Sequence, residues 1–188
     1  MTNTAVETQS ASQRFIGRLD DLVRRGDRAR LASLRHLVTP QDRWGPDVFA
    51  TAYPLLPPNL YPNEEPKWLL VAGLYALWHQ GKGTPASHTG ANFGATMHTL
   101  ALAVSPDSEV AKSVERRFSV LLSSGDERLT HHLRQAVSQL SSGGINVDFI
   151  CLLNDLRQWD HPDHFVQRNW ARSFWASSTN LSDGKEQK

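Results

Sequence analysis

Apolar residues in this chain recur at intervals of three and four along almost its whole length, and nowhere do they alternate with polar ones long enough to build a strand. That spacing puts the apolar side chains on one face of successive helices, so an all-α protein is predicted. Phe15, Ile16, Leu19, Leu22 and Val23 form such a face on a first helix over about 11–25, which Gly26 stops. Asp27 caps a second, which runs to about residue 38, buries Leu31, Leu34 and Val38, and ends before Thr39-Pro40. Gly45-Pro46 opens a short helix with Val48, Phe49, Ala52 and Tyr53. Pro54, Pro57, Pro58 and Pro62 then impose an extended connector, and Pro66 suits the first position of a helix striped by Trp68, Val71, Ala72, Tyr75 and Trp78.

The segment 81–92 holds three glycines among Thr, Ser and Pro and is read as a loop, the most mobile of the ordered region. A short helix over about 93–104 closes the first half. Ser105-Pro106-Asp107-Ser108-Glu109 reads as the start of the next, burying Val110, Val114, Phe118, Leu121 and Leu122. Helices with Leu129, Leu133, Ala136, Val137 and Leu140, then Phe149, Leu152, Leu153, Leu156 and Trp159, then Val166, Trp170 and Phe174 follow through short turns. The expected organisation is therefore a two-part helical protein: a tail over 1–12, an N-terminal helical lobe over 13–104, a C-terminal antiparallel four-helix bundle over 105–176, and a second tail over 177–188.

The single cysteine, Cys151, sits in an apolar run, so neither a disulfide framework nor a four-thiolate zinc site is available within the chain, and a reducing cytoplasm is the expected setting. No stretch approaches the roughly 18 continuous apolar residues of a membrane span, and no signal peptide is read at Met1-Thr2-Asn3-Thr4. Adjacent His131 and His132 diverge by about 100° on a helix, and His161 and His164 straddle a turn, so no metal site is expected. Phosphate-binding loop, nucleophile elbow and dinucleotide fingerprint are all missing, and no cofactor or catalytic residue is assigned.

A formal net charge of +1 excludes a protein-wide basic field, so any role with nucleic acid must come from patterning. Between residues 14 and 43 eight Arg stand against four Asp. Arg14, Arg18 and Arg25 share one side of the first helix and Arg28 and Arg35 a stripe on the second. From the pattern alone a solvated face with ion pairs, such as Asp21 to Arg25, is the favoured account of these positions. In the helix after Pro106, Lys112, Arg116, Ser119 and Ser123 lie opposite the apolar stripe as a row of donors able to track phosphates. Arg117 falls at the edge of that stripe, suited either to an internal carboxylate or to a ligand. Arg128 and Arg134 occupy separate flanks of the next helix, and Arg168 and Arg172 lie one turn apart near Trp175. Trp68, Trp78, Trp159 and Trp170 sit at core spacing; Trp44 and Trp175 are the candidates for a surface.

These strings resemble a known family. Gly26-Asp27-Arg28-Ala29 with Leu34-Arg35, Trp68 to Trp78, and Asn92-Phe93-Gly94 resemble the N-terminal half of the CasB family, the small subunit of the type I-E CRISPR Cascade complex. Glu115-Arg116-Arg117-Phe118, Leu133-Arg134-Gln135, Val147-Asp148-Phe149, Asp155-Leu156 and Trp170-Ala171-Arg172 continue the resemblance in order. Gln135 departs from it, standing where family members often carry a basic residue. The resemblance implies a non-catalytic, all-α subunit that packs head to tail with a second copy, beside other Cascade subunits. It would stabilise crRNA, target DNA and the displaced non-target strand in antiviral defence. The family's basic surface maps onto Arg35, Arg116, Arg117 and Arg134; the helical faces add Arg28, Arg128, Arg168 and Arg172. The alternative is a helical scaffold whose arginines meet acidic protein surfaces, and a small helical metalloenzyme is the third reading.

Overall fold

The structure, a computed structural model, describes residues 10–40, 44–103 and 108–179. Among them are nine α-helices and no strand: α1 (Ala11–Arg24), α2 (Arg28–Leu34), α3 (Pro46–Ala52), α4 (Glu65–Trp78), α5 (Phe93–Leu102), α6 (Glu109–Leu122), α7 (Asp126–Ser142), α8 (Phe149–Arg157) and α9 (Phe165–Thr179). The all-α expectation is met. None of these helices is long and apolar enough to cross a membrane.

Local chemistry explains most boundaries. Ser10 and Gln13 form a reciprocal capping box on α1, and Asp27, Asn92, Ser108 and Asp148 each accept a backbone N–H at the start of their helix. Gly26 and Gly144 take positive φ values of 66° and 67° just past α1 and α7, a left-handed conformation that residues with a side chain rarely adopt. The second helix stops at Leu34, four residues short of expectation, and tightens into a 3₁₀ turn over Arg35–Val38. The cap of α6 is Ser108, so that helix opens later than the Ser105-Pro106 signal implied; residues 104–107 lie outside the described ones. Val110 consequently stays 57% exposed instead of entering the core.

The termini also differ from expectation. Ser12, expected in the tail, is buried, and its hydroxyl donates to Asn154 Oδ1 at 2.6 Å. At the other end α9 continues to Thr179, past the expected limit at 176. Residues 1–9 and 180–188 lie outside the described part.

The helix α4 is buried on nearly every side. Its stripe was predicted at five positions, yet every residue from Trp68 to Ala76 is buried, as is Trp78. A helix apolar all round must be enclosed by others. The 3₁₀ turn and α2 cover it from the first half of the chain, α7 and α8 from the second. Meanwhile α5 packs along α9 and against α6. One apolar core therefore runs from Phe15 to Phe174 through both expected parts.

Two glycines set how closely helices approach. A Cβ on Gly94 would stand 2.1 Å from the Trp170 carbonyl oxygen, so α5 rests directly on the backbone of α9. Phe93 stacks at a tilt on the Trp170 ring with the centroids 5.1 Å apart, inside the roughly 4.5–7 Å usual for aromatic pairs. Asn92 Nδ2 donates to Ser173 Oγ at 2.8 Å. The string Asn92-Phe93-Gly94 is thus a single docking device. Gly73 likewise lets α4 meet the 3₁₀ turn, where a Cβ would come within 2.8 Å of Val38 Cγ1.

The loop 81–92 is tied down at several points. Asn146 exchanges two hydrogen bonds with the Ser87 backbone, both 2.8 Å, and Asp148 Oδ2 accepts from Gly90 N at 2.8 Å. His88 stands between two buried carboxylates, Nε2 3.5 Å from Asp20 and Nδ1 3.9 Å from Asp148. Asp20 also accepts from the buried Tyr75 hydroxyl.

Two predictions follow from this packing. Gly94→Ala forces α5 off α9 and lowers the free energy of unfolding by about 3 kcal/mol. Gly17→Ala, with open space around its Cβ in mid-helix, raises it by about 0.5–1 kcal/mol. Urea denaturation of both variants measures the contrast, and equal effects would refute the close-approach account.

His79 supplies the second. It is buried, neither ring nitrogen meets a partner among the described residues, and burial, helped by the Lys82 charge, lowers its pKa to about 4. The unfolded chain protonates this ring near 6.5 while the fold keeps it neutral, so its contribution is complete above that value and is lost as pH falls towards 4. The stability difference between the wild type and His79→Phe should change by up to about 1.4 kcal/mol per pH unit between pH 6 and 4.5. Parallel pH curves for the two proteins would disprove it.

Candidate nucleic-acid interface

The described arginines fall into two groups. Some are engaged internally: Arg18 donates to the Leu55 and Leu56 carbonyls at 2.9 and 3.2 Å and pins the proline-rich connector. Arg30 pairs with Asp27, and Arg157 with Glu64 while lying over the Trp68 ring. Arg24, rather than Arg25, takes Asp21, at 3.0 Å. In contrast, none of Arg28, Arg35, Arg116, Arg117, Arg128, Arg134, Arg168 and Arg172 forms an ion pair or side-chain hydrogen bond with a described residue. Seven of these eight are exposed and Arg35 is half-buried. An unpaired guanidinium in water keeps its fork of donors available to an incoming anion.

Two of the eight meet in one place. Successive helices α6 and α7 pack against each other, and a groove of about 370 Å³ opens beside them, lined by Arg117, Arg134, His131, Gln135, Ser138 and Gln139 with Leu77 of α4. On α7 the polar residues 131, 134, 135 and 138 follow the i, i+3, i+4, i+7 repeat of one helix face, while Leu133, Val137 and Leu140 hold the opposite face in the core. Arg117 reaches the groove from beside buried Phe118. Among the described residues it has no carboxylate partner, so of the two uses open to it in the sequence ligand contact stays available. No acid is among the described residues that line the groove. A smaller recess alongside shares Arg117, Gln135 and Gln139 and adds His132, whose pKa burial lowers, with His131 and Arg128 contributing.

The structure does not gather the other candidates into this groove. Arg28 is the first residue of α2, Arg35 lies in the 3₁₀ turn, Arg116 and Arg128 occupy other faces of α6 and α7, and Arg168 and Arg172 sit on α9. The row of phosphate donors expected along α6 is thinner than read. The Ser119 and Ser123 hydroxyls donate to the backbone carbonyls of Glu115 and Val120, and Lys112 pairs with Glu109 at 3.0 Å. His131, Ser138 and Gln139 were missed as lining residues, although the spacing of His131 and Ser138, three and four residues from Arg134, was a readable signal.

Tryptophan placement agrees with its sequence setting. Trp68, Trp78, Trp159 and Trp170 are buried, whereas Trp44 and Trp175 are half-buried. Trp175 Nε1 donates to Glu115 at 2.8 Å and its ring packs on Phe118 and Phe174. Trp44 borders a second groove, about 550 Å³, with Phe49, Tyr53, Leu69 and Leu70; Glu65 is the one charged residue among its described lining. Among the described residues that lining is mainly apolar and offers no cation for a phosphate.

Comparison with known proteins bears on the sequence and the fold. The family model described as CRISPR-associated protein Cse2 matches residues 27–175. A curated CRISPR-associated protein Cse2 from Thermus thermophilus is 31% identical over 164 residues, covering 85% of either chain. The crystal structure of CasB from Thermus thermophilus superposes with a TM-score of 0.67 at 31% identity, over 89% of this chain and 99% of that one. For the CasB of M. ruber the TM-score is 0.67 at 28% identity, over 92% and 98%. A chain of a CRISPR RNA-guided surveillance complex shares the fold, with a TM-score of 0.71 at 19% identity, over 94% and 98%.

Proposed function

Because this chain belongs to the CRISPR-associated Cse2, or CasB, family, we propose that it is the non-catalytic small subunit of a type I-E Cascade surveillance complex. In that role it stabilises crRNA, target DNA and the displaced strand through its unpaired arginines. The observation that carries this reading is the groove beside α6 and α7, where Arg117 and Arg134 stand among amide and hydroxyl donors with no acid among the described lining residues. Such a surface recognises sugar-phosphate by charge and donor geometry and reads no base sequence. That suits a subunit of a complex in which pairing with a guide RNA supplies the sequence readout. A net charge of only +1 is consistent with a protein held on its nucleic acid by neighbouring subunits. The remaining unpaired arginines, Arg28, Arg35, Arg116, Arg128, Arg168 and Arg172, extend the contact beyond the groove. Pairing head to tail with a second copy and work in the cytoplasm belong to the same reading.

The test is the double variant Arg117→Ala/Arg134→Ala in the assembled complex. Loss of two phosphate contacts should weaken target-DNA binding about tenfold and reduce the slope of log affinity against log salt by about 2, with the thermal transition of the isolated chain unchanged. Wild-type affinity and salt slope would refute the groove. Crosslinking of the arginine surfaces to an acidic protein, with none to labelled DNA, would favour the scaffold reading instead.

A further inference from the structure

The outer face of α9 combines two cations with an indole. Val166, Trp170 and Phe174 hold the inner face of this helix in the core. At 3.6 residues per turn Arg168, Arg172 and Trp175 point the other way, within about 60° of one another. Both arginines are exposed, and neither side chain meets an acid or a hydrogen-bond partner among the described residues. From Phe165 to Thr179 the helix carries no Asp or Glu. Described acids on the elements around it are engaged elsewhere: Asp155 of α8 accepts from the Trp170 indole, Asp160 meets Lys67, Asp163 lies against His161, and Glu109 of α6 pairs with Lys112. Glu115 of α6 does reach this face, and Trp175 itself takes its carboxylate.

Trp175 differs from the other tryptophans in what covers it. Trp68, Trp78, Trp159 and Trp170 are buried, and Trp68 and Trp78 also lie under the cations of Arg157 and Lys82. Trp44 is half-buried like Trp175, but the groove it borders has no cation among its described lining. No described cation sits over the Trp175 ring, and no described ring lies flat on it. Phe174 meets it at 71° with centroids 5.0 Å apart, and Phe118 at 51° and 5.7 Å. Its Nε1–H donates to Glu115 at 2.8 Å, which fixes the plane of the half-buried indole. A ring oriented in advance loses little freedom when a flat partner settles on it.

Unpaired nucleic acid presents phosphates and free base faces in alternation, and a cationic track with an aromatic platform matches both without reading sequence. Seven residues of helix separate Arg168 from Trp175, about 10 Å, so a strand whose phosphates meet the guanidiniums can bring a base to the indole. In a duplex the bases are stacked inside, and an acidic peptide would use the arginines but leave the ring uncovered. We infer that the outer face of α9 is a seat for single-stranded nucleic acid, with Arg168 and Arg172 on its phosphates and one unpaired base laid on Trp175. The inference rests on the function proposed above and deepens it, assigning an unpaired strand to α9 and leaving the groove beside α6 and α7 as a separate contact to backbone alone.

The probes are a fluorescently labelled oligothymidylate and an abasic oligodeoxynucleotide of the same length, which has the same phosphates and no bases, each titrated with the full chain. The wild type should bind the thymidylate about tenfold more tightly than the abasic strand. In Trp175→Leu that preference should fall to about twofold or less, whereas Trp175→Phe, which keeps a flat ring, should retain most of it. Because the preference is a ratio of two affinities measured on one protein, partial unfolding of a variant cancels from it. Arg168→Gln/Arg172→Gln should weaken both ligands by the same factor, about tenfold, and leave the ratio unchanged. A wild type that does not prefer the thymidylate, or a Trp175→Leu variant that keeps the full preference, overturns the stacking seat. If Arg117→Ala/Arg134→Ala abolishes binding while the α9 variants behave as wild type, α9 is excluded and the groove survives. In the assembled complex Trp175→p-benzoylphenylalanine should photocrosslink to labelled DNA; capture of a protein subunit with no DNA gives this face to a protein partner and overturns the inference.

Discussion

Everything in this fold is arranged around a helix that has no side to show to water. From Trp68 to Ala76 every residue of α4 is buried, so its apolar surface can be satisfied only by elements on all sides. Both halves of the chain supply them, and the functional surface inherits its geometry from that enclosure. Because α7 lies on α4, Leu77 at the end of α4 becomes the floor of the arginine groove and Ser141 of α7 meets Lys82 just beyond it. Gly73 and Gly94 set the distance of approach at either side of this arrangement.

Charge is distributed by the same logic. Arginines near the seams of the fold are consumed by carbonyls and carboxylates, as with Arg18 on the Leu55 and Leu56 carbonyls and Arg157 on Glu64. The buried acids are likewise accounted for. Asp20 holds Tyr75, and Asp148 caps α8 and ties Gly90, with His88 lying between the two. What remains after these pairings is a set of guanidiniums unmatched among the described residues, two of them in one groove and the others dispersed over the surface. On the proposed function, affinity for a polyanion comes from where the acids are engaged, more than from any excess of bases.

Legibility in the sequence followed the range of the interactions involved. Helix identity, the cap at Asp27 and burial of four tryptophans are local or periodic properties, and all of them could be read. The failures came where neighbours in space decided. Val110 matched the apolar period yet is exposed, standing in the first turn of α6, which begins at Glu109. Asp21 was assigned to Arg25 by spacing and pairs with Arg24 instead. Ser119 and Ser123 had the right face for phosphate, and their hydroxyls turned back to their own helix.

The candidate site divides in the same way. The order of apolar and polar positions along the chain determined that Arg117 and Arg134 would lie near the margins of their helices, because a 3.6-residue repeat assigns each side chain a direction. It could not determine that these two margins face one groove, that His131, Gln135 and Gln139 complete its wall, or that Arg28, Arg35, Arg168 and Arg172 stand apart from it. Those relations depend on how helices distant in sequence pack across α4, and packing is set by side-chain volumes meeting in three dimensions, which a one-dimensional pattern does not encode.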